Sequence, residues 1–295
     1  MRRLCLAAFA IAGLIFGTLA VALPAHAEDW SKTYKLTGRP NLRVITNDGH
    51  VDLYTSDGGQ IDAHVTTTGW AIAKSGGDRD VKITESQTGN TIDLEVHVPT
   101  FHFSFGWNNR SVRIELHVPR DADFDVETGD GSVTSQAFNG KLRISTGDGS
   151  ITATGLKGEV RLHSGDGHID GDELDGALHA DSGDGHIRVR GRFDKLTLES
   201  GDGSVVAEAA SGSKITEGWS LRSGDGSVTL RLADGPEQLN ADLDAHTSDG
   251  HVTLDYPGIT MSGTISRSAV RGKIGAGGPP LVIHTGDGSI HIEKM

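Results

Sequence analysis

Aspartate, serine and histidine recur together along this chain at a spacing that raises catalytic and metal chemistry as the first questions. The aspartates of a Gly-Asp-Gly motif stand at Asp130, Asp148, Asp166, Asp184 and Asp202, each step 18 residues. The motif continues at Asp225, Asp249 (as Ser-Asp-Gly) and Asp287, after steps of 23, 24 and 38 residues. Two degenerate copies, Asn47-Asp48-Gly49 and Ser56-Asp57-Gly58, lie nearer the start. Two residues after the aspartate comes Ser132, Ser150, His168, His186, Ser204, Ser227, His251 or Ser289. A Ser-His-Asp triad needs one convergent constellation with an ordered base and an oxyanion site. Here the same types repeat many times over, which argues against catalysis, and no catalytic residue is assigned.

Metal binding is the second question. Carboxylates stacked one rung apart repel by about 0.8 kcal/mol per pair in bulk water and by about 3 kcal/mol at an effective dielectric of 20, and a bound calcium would relieve this. The eight aspartates therefore remain open as weak cation ligands, with calcium the only cofactor in question. Against a dedicated site, one carboxylate per repeat falls well short of the roughly six to eight oxygens that calcium takes. His168 and His186 supply too few ligands for zinc. The plainer expectation is a turn: flanking glycines permit positive φ, and the aspartate bonds its own turn backbone.

The elements that must position these residues are strands. Aligned on the aspartate, each unit reads apolar-x-apolar-x-Ser/Thr-Gly-Asp-Gly-Ser/His-apolar, followed by a second short strand and a small-residue turn. Period-two alternation on both sides of the glycines is a strand signal, and no sustained helical stripe occurs after residue 27. Leu142, Ile144 and Thr146 share a face, and beyond the corner Ile151 and Ala153 continue it. One such unit cannot bury its apolar side, whereas stacked copies bury a continuous strip. The fold expected is all-β, a parallel β-solenoid of 18-residue coils. The alternative is an antiparallel β-meander or sandwich with Asp-Gly as a hairpin turn. The solenoid is preferred because a single-layer meander leaves an apolar face wet unless it closes.

The first 27 residues carry Arg2 and Arg3, an apolar run from Leu4 to Leu23, and Ala25-His26-Ala27, the pattern of a cleaved signal peptide. A membrane anchor is the competing reading; the cleavage triplet and the polar start Glu28-Asp29 favour the signal. Export through the Sec pathway to the periplasm, cell surface or medium follows, with no stable membrane insertion after cleavage. Cys5 is the only cysteine, so no disulfide supports the exported chain. The organisation expected is 1–27 signal, 28–125 a degenerate capping region and 126–295 the regular repeats, the last two forming one continuous domain. The net charge of −13 excludes nucleic acid as a partner.

One segment breaks the pattern. Phe101, Phe103, Phe105 and Trp107 alternate in a chain poor in aromatics, between Glu95-Val96-His97-Val98-Pro99 and Glu115-Leu116-His117-Val118-Pro119. Read as a projecting hairpin, its aromatic face could meet a partner protein, a glycan or a lipid surface. Read as a cap, it covers an end of the apolar interior.

Three stretches carry a resemblance: Val112-Arg-Ile-Glu-Leu-His-Val-Pro119, Phe124-Asp-Val-Glu-Thr-Gly-Asp-Gly-Ser-Val133, and the closing Gly272-Lys-Ile-Gly-Ala-Gly-Gly-Pro-Pro-Leu-Val-Ile-His-Thr-Gly-Asp-Gly-Ser-Ile290. With the repeated Ser/Thr-Gly-Asp-Gly units, the chain resembles the bacterial adhesin-candidate domains of unknown function, DUF4097. The resemblance implies a β-solenoid, an envelope or surface location and an adhesive or scaffold role with an unidentified envelope protein or glycan. It brings no catalytic residues to map. The competing functions are a polysaccharide-active enzyme and a calcium-responsive repeat.

Overall fold

The computed structural model describes residues 27–73, 80–99, 110–233, 239–257 and 259–295. The described residues contain strands and no helix. The repeat sets the architecture. Asn139–Thr146 pairs in parallel with Lys157–Ser164, residue 142 opposite 160, and Lys157–Ser164 pairs with the second half of Ile169–Ser182, residue 160 opposite 178. Past the corner, Ile151–Thr154 pairs with Val133–Gln136 on one side and with the first half of Ile169–Ser182 on the other. Each 18-residue unit is therefore one coil, and equivalent residues lie one strand spacing apart, about 4.8 Å. The chain is a parallel β-solenoid.

Alternation within each coil supplies the interior. In Asn139–Thr146 the outward residues Lys141 and Arg143 are exposed while Leu142, Ile144 and Thr146 are buried; Ile151 and Ala153 face them from beyond the corner. The larger cross-section gaps are filled by rings, with Phe193 edge-on to Trp219 at 6.3 Å and Phe124 edge-on to Phe138 at 5.3 Å. Met295 is the only exposed large hydrophobic residue among those described.

Three successive coils also turn at a second corner through left-handed backbone. Ala137, Gly155 and Glu173, spaced by 18, have φ of 61°, 67° and 52°. The Gly-Asp-Gly corners differ from the expectation here, because among their glycines only Gly49 has a positive φ. The physical reason for glycine there is close approach. A Cβ on Gly149, Gly167 or Gly185 would sit 2.0 to 2.1 Å from the carbonyl oxygen of the glycine one coil before.

Stack order and chain order agree through the middle and part at both ends. Asn41–Thr46 lies between Thr91–His97 and Asp123–Thr128, so the first coil of the sequence is second in the stack. At the other end, Pro280–Thr285 lies between Trp219–Ser223 and Ala241–Thr247, and Ile290–Lys294 between Val228–Leu232 and Val252–Asp255. The last coil of the chain is thus inserted into a gap that earlier residues left open. Antiparallel strands close the ends: Ala27–Lys35 and Gln60–Thr68 join Ser111–Pro119 at one, and the hairpin of Ile259–Ile265 with Ala269–Ile274 joins Ala241–Thr247 at the other.

Candidate functional site

The corners form one edge of the solenoid. Following the strand registers, their aspartates stack in the order Asp48, Asp130, Asp148, Asp166, Asp184, Asp202, Asp225, Asp287, Asp249, all exposed. The other degenerate copy, Asp57, stands outside this column, in the bend between His50–Ser56 and Gln60–Thr68. Asp48 alone bonds its own turn, its Oδ1 accepting from Gly49 N–H at 2.6 Å. The expectation that each aspartate caps its turn fails because the turn's donors are already engaged. Asp166 N–H and Asp184 N–H, for example, donate to Gly147 and Gly165 carbonyls of the preceding coil at 3.1 and 3.2 Å.

The remaining donor goes to a residue that sequence reasoning treated only as part of the strand. Gly167 N–H donates to Ser164 Oγ at 2.9 Å, and Ser164 Oγ–H donates to Gly149 O of the coil before at 2.9 Å. The pattern repeats at Thr146, Ser182, Ser200 and Ser223. This buried hydroxyl column staples each corner to its neighbour. Its signal in the sequence was a small hydroxyl residue at a phase that burial otherwise reserves for apolar side chains. Ser164→Ala should cost about 1–3 kcal/mol, since it strands a buried N–H and a buried C=O; chemical denaturation against wild type reads the loss, and Ser164→Thr should retain most of it.

A family-model comparison bears on this same stack of coils. Residues 41–293 match the model of the Toastrack DUF4097 family. The chain belongs to the Toastrack family. Three solved structures align over 92% of this chain. They are a cell-adhesion candidate from Clostridium sporogenes (10% identity, all of that chain, TM-score 0.32) and an adhesin candidate from Bacteroides fragilis (12%, all of that chain, 0.38). The third is a lipid-binding candidate from Parabacteroides distasonis (14%, 98% of that chain, 0.44). No curated protein sequence matches the chain significantly.

In this Toastrack chain the Ser/His position after the corner forms a second column, on the solvent side. His186 N–H donates to His168 Nδ1 at 3.2 Å, Ser204 N–H to His186 Nδ1 at 3.0 Å, and Ser289 N–H to Ser227 Oγ at 3.3 Å. Serine and histidine exchange here because each carries an acceptor that meets the next coil's amide. His168 and His186 stack with centroids 5.2 Å apart and planes 10° apart. Their accepting Nδ1 places the neutral-ring proton on Nε2. His186→Ser should be neutral within about 0.5 kcal/mol, whereas His186→Leu should cost about 1 kcal/mol by removing the acceptor; thermal unfolding of both variants separates them.

Elsewhere the Toastrack surface is laced with ion pairs between coils. Arg231 bridges Glu208 at 2.9 Å and Glu293 at 2.7 Å, and these two carboxylates hold its guanidinium above its ordinary range. Asp52, with a side chain 4% exposed, receives Arg113 Nη1 at 2.6 Å and lies 3.3 Å from His50 Nε2. The Thr33 hydroxyl first, then Gln60 and the His117 charge, hold the Asp62 carboxyl below the usual carboxylate range. Burial, with the nearby Glu85 carboxylate, pushes the Tyr34 phenol above its ordinary value. A groove of about 610 Å³ crosses the face before the corners, lined by Glu159, Arg161, His179, Lys195 and Thr197. Another of about 300 Å³ on the opposite face is lined by Thr152, Thr154, Asp170, Asp172, Arg188 and Arg190.

Among the described residues no group of three or more His, Cys, Asp or Glu side chains is placed to hold a metal ion, and no helix is long and apolar enough to cross a membrane. Phe101, Phe103, Phe105 and Trp107, and the leader up to residue 26, lie outside the described residues. The strands flanking the aromatic segment do not pair with each other. Thr91–His97 joins the face before the corners and Ser111–Pro119 the face after them, so these two strands flank the position that Gly-Asp-Gly occupies in other coils.

Proposed function

We propose that this Toastrack chain is a non-enzymatic, exported module of the cell envelope that binds an envelope protein or a glycan in an adhesin-like or scaffold role. The observation that carries the reading is the distribution of its polar groups. Hydroxyls, imidazoles and carboxylates repeat in columns along a body cross-linked between coils, so the surface is long, stiff and uniform. A rigid extended surface suits binding, because little conformational entropy is lost on contact. The leader 1–27 directs the chain out through the Sec pathway, to the periplasm or the surface, and the acidic charge keeps it from nucleic acid.

Purified protein offered a panel of uronic-acid and neutral glycans, and used as bait in envelope extracts, tests the reading. Capture of a glycan or an envelope protein without turnover is the expected outcome. Turnover of any glycan would sink it. A chain lacking residues 100–110 run beside it assigns the contact: retention of every partner places it on the coils, and loss places it on the aromatic segment. Millimolar calcium and magnesium should shift the melting temperature equally; a rise specific to calcium would make the aspartate column a cation site.

A further inference from the structure

We infer that the buried hydroxyl column is a chemical safeguard for the Asp-Gly bonds of the corners, and that Asp57, off that column, is a site of spontaneous isoaspartate formation. Asp-Gly is prone to cyclise because glycine has no side chain to shield its amide nitrogen. That nitrogen, on losing its proton, attacks Cγ of the aspartate before it. The new N–Cγ bond forms as a Cγ–O bond breaks, and the carboxyl oxygen leaves as water with the amide and carboxyl protons. One water then opens the five-membered imide at either carbonyl; opening at the α-carbonyl leaves the main chain running through the β-carboxyl group.

Six corners are built against this step. The attacking N–H of Gly131, Gly149, Gly167, Gly185, Gly203 and Gly226 donates to the hydroxyl three residues before it at 2.9 to 3.2 Å. In the last five, that hydroxyl gives its own proton to a glycine carbonyl of the preceding coil, so its oxygen is no base. The peptide on the other side of the aspartate is held too: the amides of Asp148, Asp166, Asp184, Asp202 and Asp225 donate to the preceding coil at 3.1 to 3.2 Å. Turning the glycine amide toward Cγ breaks at least one of these bonds. Gly149, Gly167, Gly185 and Gly203 are also buried, which keeps hydroxide from their N–H groups.

Asp57 has none of this. Gly58 and Gly59 are exposed, and Gly58 N–H meets no acceptor among the described residues. A Cβ on Gly58 would touch only Gln60, and one on Gly59 nothing within 4 Å.

The full chain is aged at neutral pH and physiological temperature, digested, and each Asp-Gly peptide scored for isoaspartate by mass spectrometry. Asp57 should convert at least about ten-fold faster than any of the six corner aspartates, the equivalent of about 1.4 kcal/mol in the barrier. Rates within about two-fold of one another, a negligible barrier difference, overturn the inference. In Ser164→Ala the rate at Asp166 should rise several-fold while Asp130 and Asp202 stay unchanged, and Ser164→Thr should restore protection. An unchanged rate at Asp166 in a folded Ser164→Ala chain removes the hydroxyl from the account. Should that variant fail to fold, the wild-type comparison decides alone.

Discussion

Gly167→Ala should cost about 4 kcal/mol, lowering the midpoint of thermal unfolding by roughly 10 °C. The added Cβ would lie 2.0 Å from Gly149 O and 2.4 Å from Gly149 C. Both atoms belong to the backbone of the neighbouring coil, which is held by its own ladder on the far side and cannot give way. Strain therefore spreads into the strands Asn139–Thr146 and Lys157–Ser164 on one side of the corner and Ile151–Thr154 and Ile169–Ser182 on the other. Overpacking of this kind costs more than a side-chain clash, which a rotamer change relieves. Gly59→Ala is the matched control. It adds the same methyl to a glycine with nothing within 4 Å and should stay within about 0.5 kcal/mol of wild type. Differential scanning calorimetry of the two variants measures the contrast, and equal midpoints would show that the corners are spaced more loosely than described.

Ending the chain at Gly278 should be more damaging than trimming a terminal coil from an ordinary repeat array. In a simple array the last coil has one neighbour, and its loss removes one interface. Here Pro280–Thr285 and Ile290–Lys294 are paired on both edges, and Leu281, Ile283, Ile290 and Ile292 are fully buried. Removing them opens a slot between the coils at Trp219–Leu232 and Ala241–Asp255. Each of the four side chains is worth about 2–5 kcal/mol by truncation, a sum on the scale of a whole domain's stability. Hydrogen exchange should show lost protection from about residue 205 onward, with coils 123–200 still protected. Deleting Met295 alone, an exposed residue, should leave the pattern unchanged. Protection confined to its wild-type values throughout would contradict the inserted coil.

The regular coils were legible because the fold adds the same unit repeatedly. Leu142, Leu178 and Leu196 occupy one interior column for the same reason that they align at intervals of 18 or its multiple, and the alternation around them marks which side is buried. The meander alternative carried the same local signals, and only the parallel registers decided against it. The corner was legible as a corner but not for its mechanism. Glycine is equally apt for positive φ and for close approach, and nothing local to Gly-Asp-Gly distinguishes a strained turn from a tight stack. Outside Asp48, the aspartate's expected bond to its own turn was unmet because its own N–H goes to the preceding coil and, at six corners, the following glycine N–H goes to the hydroxyl three residues back.

Composition, period and alternation by themselves determined that this chain is an all-β protein without an internal disulfide, built of 18-residue units that each carry one Gly-Asp-Gly corner and one apolar side. Those properties depend on residues close in sequence, and on their translation by a constant step. Tertiary structure alone decided that coil 280–295 sits inside the stack rather than at its end, and that Ser164 and its equivalents staple the corners. Both depend on which coil lies against which. Steps of 23, 24 and 38 residues count the chain between corners, but carry no information about the rung to which each corner returns.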